Sequence, residues 1–143
     1  MAASSFSATV DAWAAASQAR MLAIFKASAQ RVVSKAQGRI PVDTGFARAS
    51  IRGSLQSMPQ IQPGFAGDGS NVPYNPGNIT LIIAGATLKD IVYIGWTANY
   101  VGYLEEGSSQ QAPSGFVRIT AMEWPRIVSE VTIEAKQRVA RGT

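Results

Sequence analysis

Asp43-Thr44-Gly45 is the triplet in this chain whose residue types and order could do chemistry. In an aspartic protease two such aspartates share one proton and activate a water molecule. A short chain with one triplet supplies the second carboxylate only by dimerising. That signature also wants an apolar strand before the triplet and a small Ala or Ser after it. Here Pro41 breaks the preceding run, Phe46 follows, and no later apolar-Gly-Arg element is found. The structural reading takes precedence: Asp43 accepts hydrogen bonds from the N–H groups of Gly45 and Phe46, capping a short turn from Gly45 to Ala49. Glu105 and Glu106 are adjacent carboxylates. Neighbours on a helix point roughly 100° apart, so they make no acid–base pair.

The remaining inventory narrows the chemistry further. The chain has no histidine and no cysteine. The usual general base, the usual metal ligands, disulfides and thiolate chemistry all go with them. A Ser–Lys dyad is formally available, but no motif singles one out among common serines and scattered lysines. Gly64, Gly67 and Gly69 lie between prolines rather than between a strand and a helix, so they do not cradle a phosphate. Trp13, Trp96 and Trp124 sit at apolar-face positions and read as core rather than as stacking platforms for bases. No catalytic residue, metal or cofactor is therefore expected.

Bulk properties agree with a folded interaction protein. The 143 residues are 46% hydrophobic and 15% charged. That excludes a disordered chain and leaves apolar surface for partners. The net charge of +4 is a mild bias with scattered basic residues, which permits contact with nucleic acid without identifying a binder. The first residues have neither a charged n-region nor an apolar core, so no signal peptide is expected. No apolar run approaches the roughly 20 residues that span a bilayer.

The elements that must position these residues follow in order. Residues 7–37 are Ala-rich and free of Pro and Gly, with Val10, Trp13, Ala14, Met21, Ile24, Phe25, Ser28 and Val32 at helical spacing. Gly38 suits the C′ position. Such a helix is roughly 45 Å long, more than a domain of this size is wide, so part of it is expected to project. Residues 50–56 alternate as a half-exposed strand. Residues 57–78 hold four prolines and four glycines and read as a long loop. Its apolar Met58, Ile61, Phe65, Val72 and Tyr74 suggest docking on a neighbour. Residues 79–84 and 91–97 read as an antiparallel hairpin, the second strand central and covered on both faces. Residues 114–139 form an amphipathic helix kinked at Pro125. Its charged residues, Glu123 and Glu134 among them, are assigned to a solvated outer face, with Glu134 and Arg138 as an i,i+4 pair. The expected fold is α+β, one domain over residues 1–143: about three or four antiparallel strands packed on the two helices.

Two stretches also carry a family resemblance. One is Pro41-Val42-Asp43-Thr44-Gly45 followed by Arg48, Ser50 and Ile51; the other is Tyr100, Tyr103, Leu104, Glu105, Gly107 and Ser108, then Pro113, Phe116, Val117 and Ala121. In this order, roughly fifty residues apart, they resemble the tail-component family of long-tailed bacteriophages, whose members are neck and tail-completion proteins. Ala47, Val101 and Gly115 depart from the residues common there. The resemblance implies a structural protein of the virion, made in the host cytoplasm, that forms a ring, commonly hexameric, at the head–tail junction. Its partners would be other copies of itself, a tail-tube or tail-terminator protein and a head-side connector or stopper, with the genome DNA passing through the lumen. In that setting Met58, Ile61, Phe65, Val72 and Tyr74 become candidate interface residues, and Arg48 is expected to pair with Glu105 or Glu106 within or between subunits. The competing readings are a dimeric aspartic-type protease acting through Asp43 and a small basic nucleic-acid-binding domain.

Overall fold

The computed structural model describes residues 6–106 and 115–141. Its first element, α1 (Phe6–Arg39), runs for 34 residues, roughly 50 Å. Nothing in it breaks a helix before Pro41, and it passes through Gly38 rather than stopping there, ending as the Ile40 N–H donates to the Ala36 carbonyl. Burial is confined to its C-terminal half, where Ser28, Ala29, Val33, Ala36 and Gln37 face inward. A short turn leads into α2 (Phe46–Ala49), then β1 (Ile51–Ser54).

β1 pairs antiparallel with β2 (Tyr93–Trp96), Ile51 opposite Trp96 and Ser54 opposite Tyr93. These two strands make the whole sheet among the described residues, fewer than the three or four expected. The missing strand is α3 (Gly77–Ala84). An apolar run this short is ambiguous between the two periods, and here position four apart wins: Ile79 and Ile83 are buried while Leu81, between them, is 74% exposed. Asn75 Oδ1 accepts from the Gly77 N–H and the Pro76 carbonyl from the Thr80 N–H, which starts the helix. β2 is consequently not a central strand. It has one neighbour, it begins only at Tyr93, and Ile91 stays outside. α3 lies over β1, and Gly53 permits the close approach, since a Cβ there would sit 3.2 Å from Ile79 Cδ1.

The chain then forms α4 (Val101–Glu106) and, after the segment outside the described residues, α5 (Phe116–Met122) and α6 (Trp124–Ala140). The expected single kinked helix is thus two helices. Pro125 has no N–H to give to the carbonyl of Ala121. The chain instead tightens two residues earlier, with the Glu123 N–H on the Thr120 carbonyl, and regular helical bonding resumes with the Ile127 N–H on the Glu123 carbonyl.

The apolar interior has two clusters joined at Trp96. Ala29, Val33, Ile51, Ile79 and Ile83 form one; Ile40, Ala47, Ala98, Val101 and Phe116 form the other. α6 closes the opposite side of α1 with Ile127 and Val131. Buried polar groups tie the pieces together. Gln37 donates to the Arg48 carbonyl (2.8 Å) and accepts from Trp96 Nε1 (2.7 Å), linking α1, α2 and β2. Ser50 Oγ donates to the Ala47 carbonyl, and the Ser50 carbonyl accepts from the Thr97 N–H and hydroxyl.

Candidate functional site

The Pro41–Gly45 turn and the Tyr100–Glu106 helix, separate in sequence, are packed together. Phe46 stacks on Tyr100 with ring centroids 6.4 Å apart and meets Phe65 edge-on at 4.7 Å. Pro41, Asp43, Thr44, Gly45, Tyr100 and Leu104 are among the residues lining a cavity of about 460 Å³ at this junction. Gly45 makes the turn feasible. Its φ is +85°, and a Cβ there would fall 2.6 Å from the Val72 carbonyl oxygen. The Phe46 N–H is capped by Thr44 Oγ1 at 3.2 Å, not by Asp43 as expected from the sequence. A threonine hydroxyl makes the same local turn as an aspartate, and Asp43 is left exposed at the cavity. Burial, foremost, and the Asp43 charge raise the Tyr100 phenol above its ordinary value.

Glu105 has a definite role that sequence reasoning did not assign. Its carboxylate accepts from the N–H groups of Val117 (2.8 Å) and Arg118 (3.2 Å), and its carbonyl accepts from the Gly115 N–H. These are unsatisfied donors of the first turn of α5, so Glu105 caps that helix from a distance of ten residues or more in the chain. The expected pair with Arg48 is therefore not made within the chain. Among the described residues Arg48 forms no ion pair with Glu105 or Glu106, and its Nε is buried without a partner. Phe116, at the start of the same helix, is buried edge-on against Trp96 at 5.1 Å. Gly107, Ser108, Pro113 and the side chain of Tyr103 lie outside the described residues.

The long loop is held by its own subunit. Val72 N–H donates to the Thr44 carbonyl, Gln62 N–H to that of Thr97, and Asn99 N–H to that of Phe65. Phe65, Val72 and Tyr74 are half-buried in this chain. Met58 and Ile61 remain turned outward, each 50% exposed.

A second region lies along α1 and α6, which run antiparallel. Arg31 makes two bonds to Glu134 (2.8 and 3.0 Å), which with Arg138 nearby lower that carboxyl. Glu123, only 13% exposed, meets Arg39, Lys35 and Arg126, and its carboxyl is held at about 2, chiefly by the hydrogen bond to Arg39. The solvated outer face expected for the C-terminal helix is in part an ion-pair seam to α1. Beyond that seam the helices enclose an open groove of about 480 Å³ whose floor includes Ala23, Ala27 and Ala135. Further toward its N-terminus α1 turns large apolar side chains outward among the described residues: Phe6 is 85% and Trp13 68% exposed, with Val10 and Met21 also outward. Trp13 is thus not a core residue. Its helical spacing was visible in the sequence, but spacing alone does not say whether a partner face lies inside the same chain.

Among the described residues no three His, Cys, Asp or Glu side chains are grouped to hold a metal, and no helix is long and apolar enough to cross a membrane. Set against models of known families, curated proteins and solved structures, the chain matches none.

Proposed function

We propose that this chain is a structural subunit of a phage virion, assembling into a ring at the head–tail junction that joins the tail to the head-side connector. The observation that carries an assembly role is the N-terminal half of α1, a helix projecting with Phe6, Val10, Trp13 and Met21 outward. A monomer exposes a patch of that kind at a cost in solubility, and such patches mark interaction surfaces. The virion assignment rests on the resemblance of the Pro41–Ile51 and Tyr100–Ala121 stretches. It is supported by their packing into one unit, with Phe46 on Tyr100 and Glu105 on α5. Closed rings are built from head-to-tail contacts between unlike surfaces of identical subunits. The mild positive charge suits a lumen through which DNA passes without sequence readout.

Sedimentation and native mass measurement across a concentration series test the assembly role. The expected result is a discrete closed oligomer, and a mass that stays at 15.2 kDa at every concentration refutes it. Imaging of virions with a label on this subunit then tests its place; label at the neck is expected, and a neck without label refutes the assignment.

A further inference from the structure

We infer that the exposed N-terminal half of α1 of one subunit seats in the groove between α1 and α6 of the next copy. The inference rests on the assembly reading above and names the contact that makes it. Eighteen residues of α-helix are five whole turns, so residues eighteen apart point the same way. Phe6, Val10, Trp13 and Ser17 therefore repeat the directions of Ile24, Ser28, Arg31 and Lys35. That second set lies on the side of α1 where α6 packs and the groove opens. The Phe6–Val10–Trp13 face thus lies on the same side of α1 that α6 covers further along, and among the described residues it is exposed.

The two surfaces fit in length and in the size of their side chains. Residues 6–19 span roughly 20 Å, comparable with the groove flanked by residues 20–31 and 131–139. Its alanines Ala23, Ala27 and Ala135 leave room for large side chains such as Trp13. Asp11, the one charged residue of 6–19, points away from the Phe6–Val10–Trp13 face, so an uncharged face enters the groove. Taking roughly 150–250 Å² for a large side chain, the exposed parts of Phe6, Val10 and Trp13 offer about 400 Å², half of the roughly 800 Å² each partner contributes to a stable interface. Two bare helices packed against each other would close as a dimer and leave the groove open. Helix into groove covers both surfaces and leaves each subunit one free seat and one free helix, the condition for a ring.

Two variants test it, Trp13→Asp on the helix and Ala27→Trp in the groove, both at exposed positions. Each alone should weaken association by about 30-fold or more, the loss of a hot-spot contact. Mixed, they should form one-to-one dimers and nothing larger, because each supplies the half the other lacks. The chain has no cysteine. A mixture of Ser17→Cys and Ala135→Cys proteins should therefore give an oxidised cross-link between subunits that a Gln18→Cys control does not. Wild-type protein that assembles while both substitutions leave assembly unchanged, or a mixture that stays monomeric with no 17–135 cross-link, overturns the seat and spares the assembly reading. Wild-type protein that never assembles overturns both.

Discussion

Glu105→Ala tests the link that holds the two motif stretches to the C-terminal helix. The substitution removes a charged acceptor from the N–H groups of Val117 and Arg118 and leaves the first turn of α5 uncapped. Capping side chains are worth about 0.5–2 kcal/mol, and a negative charge at a helix N-terminus adds about 0.3–1 kcal/mol. Water can reach these amides, since both contacts are at the exposed surface, so the lower half of the combined range applies. We expect about 1–2 kcal/mol of destabilisation, read by urea unfolding with the midpoint shifted and the slope unchanged. In a thermal scan this is roughly 3–6 °C for a domain of this size. Glu105→Gln keeps an acceptor oxygen and loses the charge, and should cost about half as much. Glu106→Ala, exposed and next in sequence, should fall within about 0.5 kcal/mol of wild type. All are compared at one protein concentration, because assembly shifts apparent stability. If Glu105→Ala unfolds like wild type, or Glu106→Ala costs as much, the capping argument is wrong.

Three further outcomes are expected. Gly45→Ala should destabilise by about 1–2 kcal/mol from the left-handed backbone alone, and more from the approach of the Val72 carbonyl; an unchanged urea midpoint would contradict the turn geometry. Glu123 has a folded carboxyl at about 2 against an ordinary 4.5, so the stability it supplies is complete above pH 4.5 and is lost as pH falls toward 2. Glu123→Gln should flatten that part of the urea-midpoint-versus-pH curve, and a curve parallel to wild type would remove the ion-pair seam as its cause. Ile127, fully buried between α6 and α1, should cost about 2–5 kcal/mol on truncation to Ala, and a melting temperature equal to wild type would mean that α6 does not close that face.

What the sequence makes legible here is whatever one element decides by itself. Residues 6–39 are helical because nothing between Phe6 and Pro41 opposes a helix, and the breakers at residues 57–76 forbid anything but a loop. Errors begin where two elements decide together. Ile79–Ala84 is apolar under either period, and only the presence of β1 beneath Ile79 and Ile83 selects the helix. Glu123 looks like part of a polar stripe, because the cations that draw it inward come mainly from α1, more than eighty residues away. Asp43 and Thr44 compete for the same local turn, and sequence order does not say which side chain takes it.

The candidate interface follows the same division. Of the candidate interface residues, Phe65, Val72 and Tyr74 are half-buried against their own subunit and Glu105 caps α5, while Met58 and Ile61 stay exposed. The first four are apolar or charged groups whose complement already exists within the chain. Phe6, Val10, Trp13 and Met21 are the reverse case: they follow the same spacing as the core residues of α1, but among the described residues they stay exposed. Periodicity identifies an apolar face, and only the fold tells which stretch of that face is left uncovered. That difference adds the end of α1 to the candidate contacts of the loop and the motif charges.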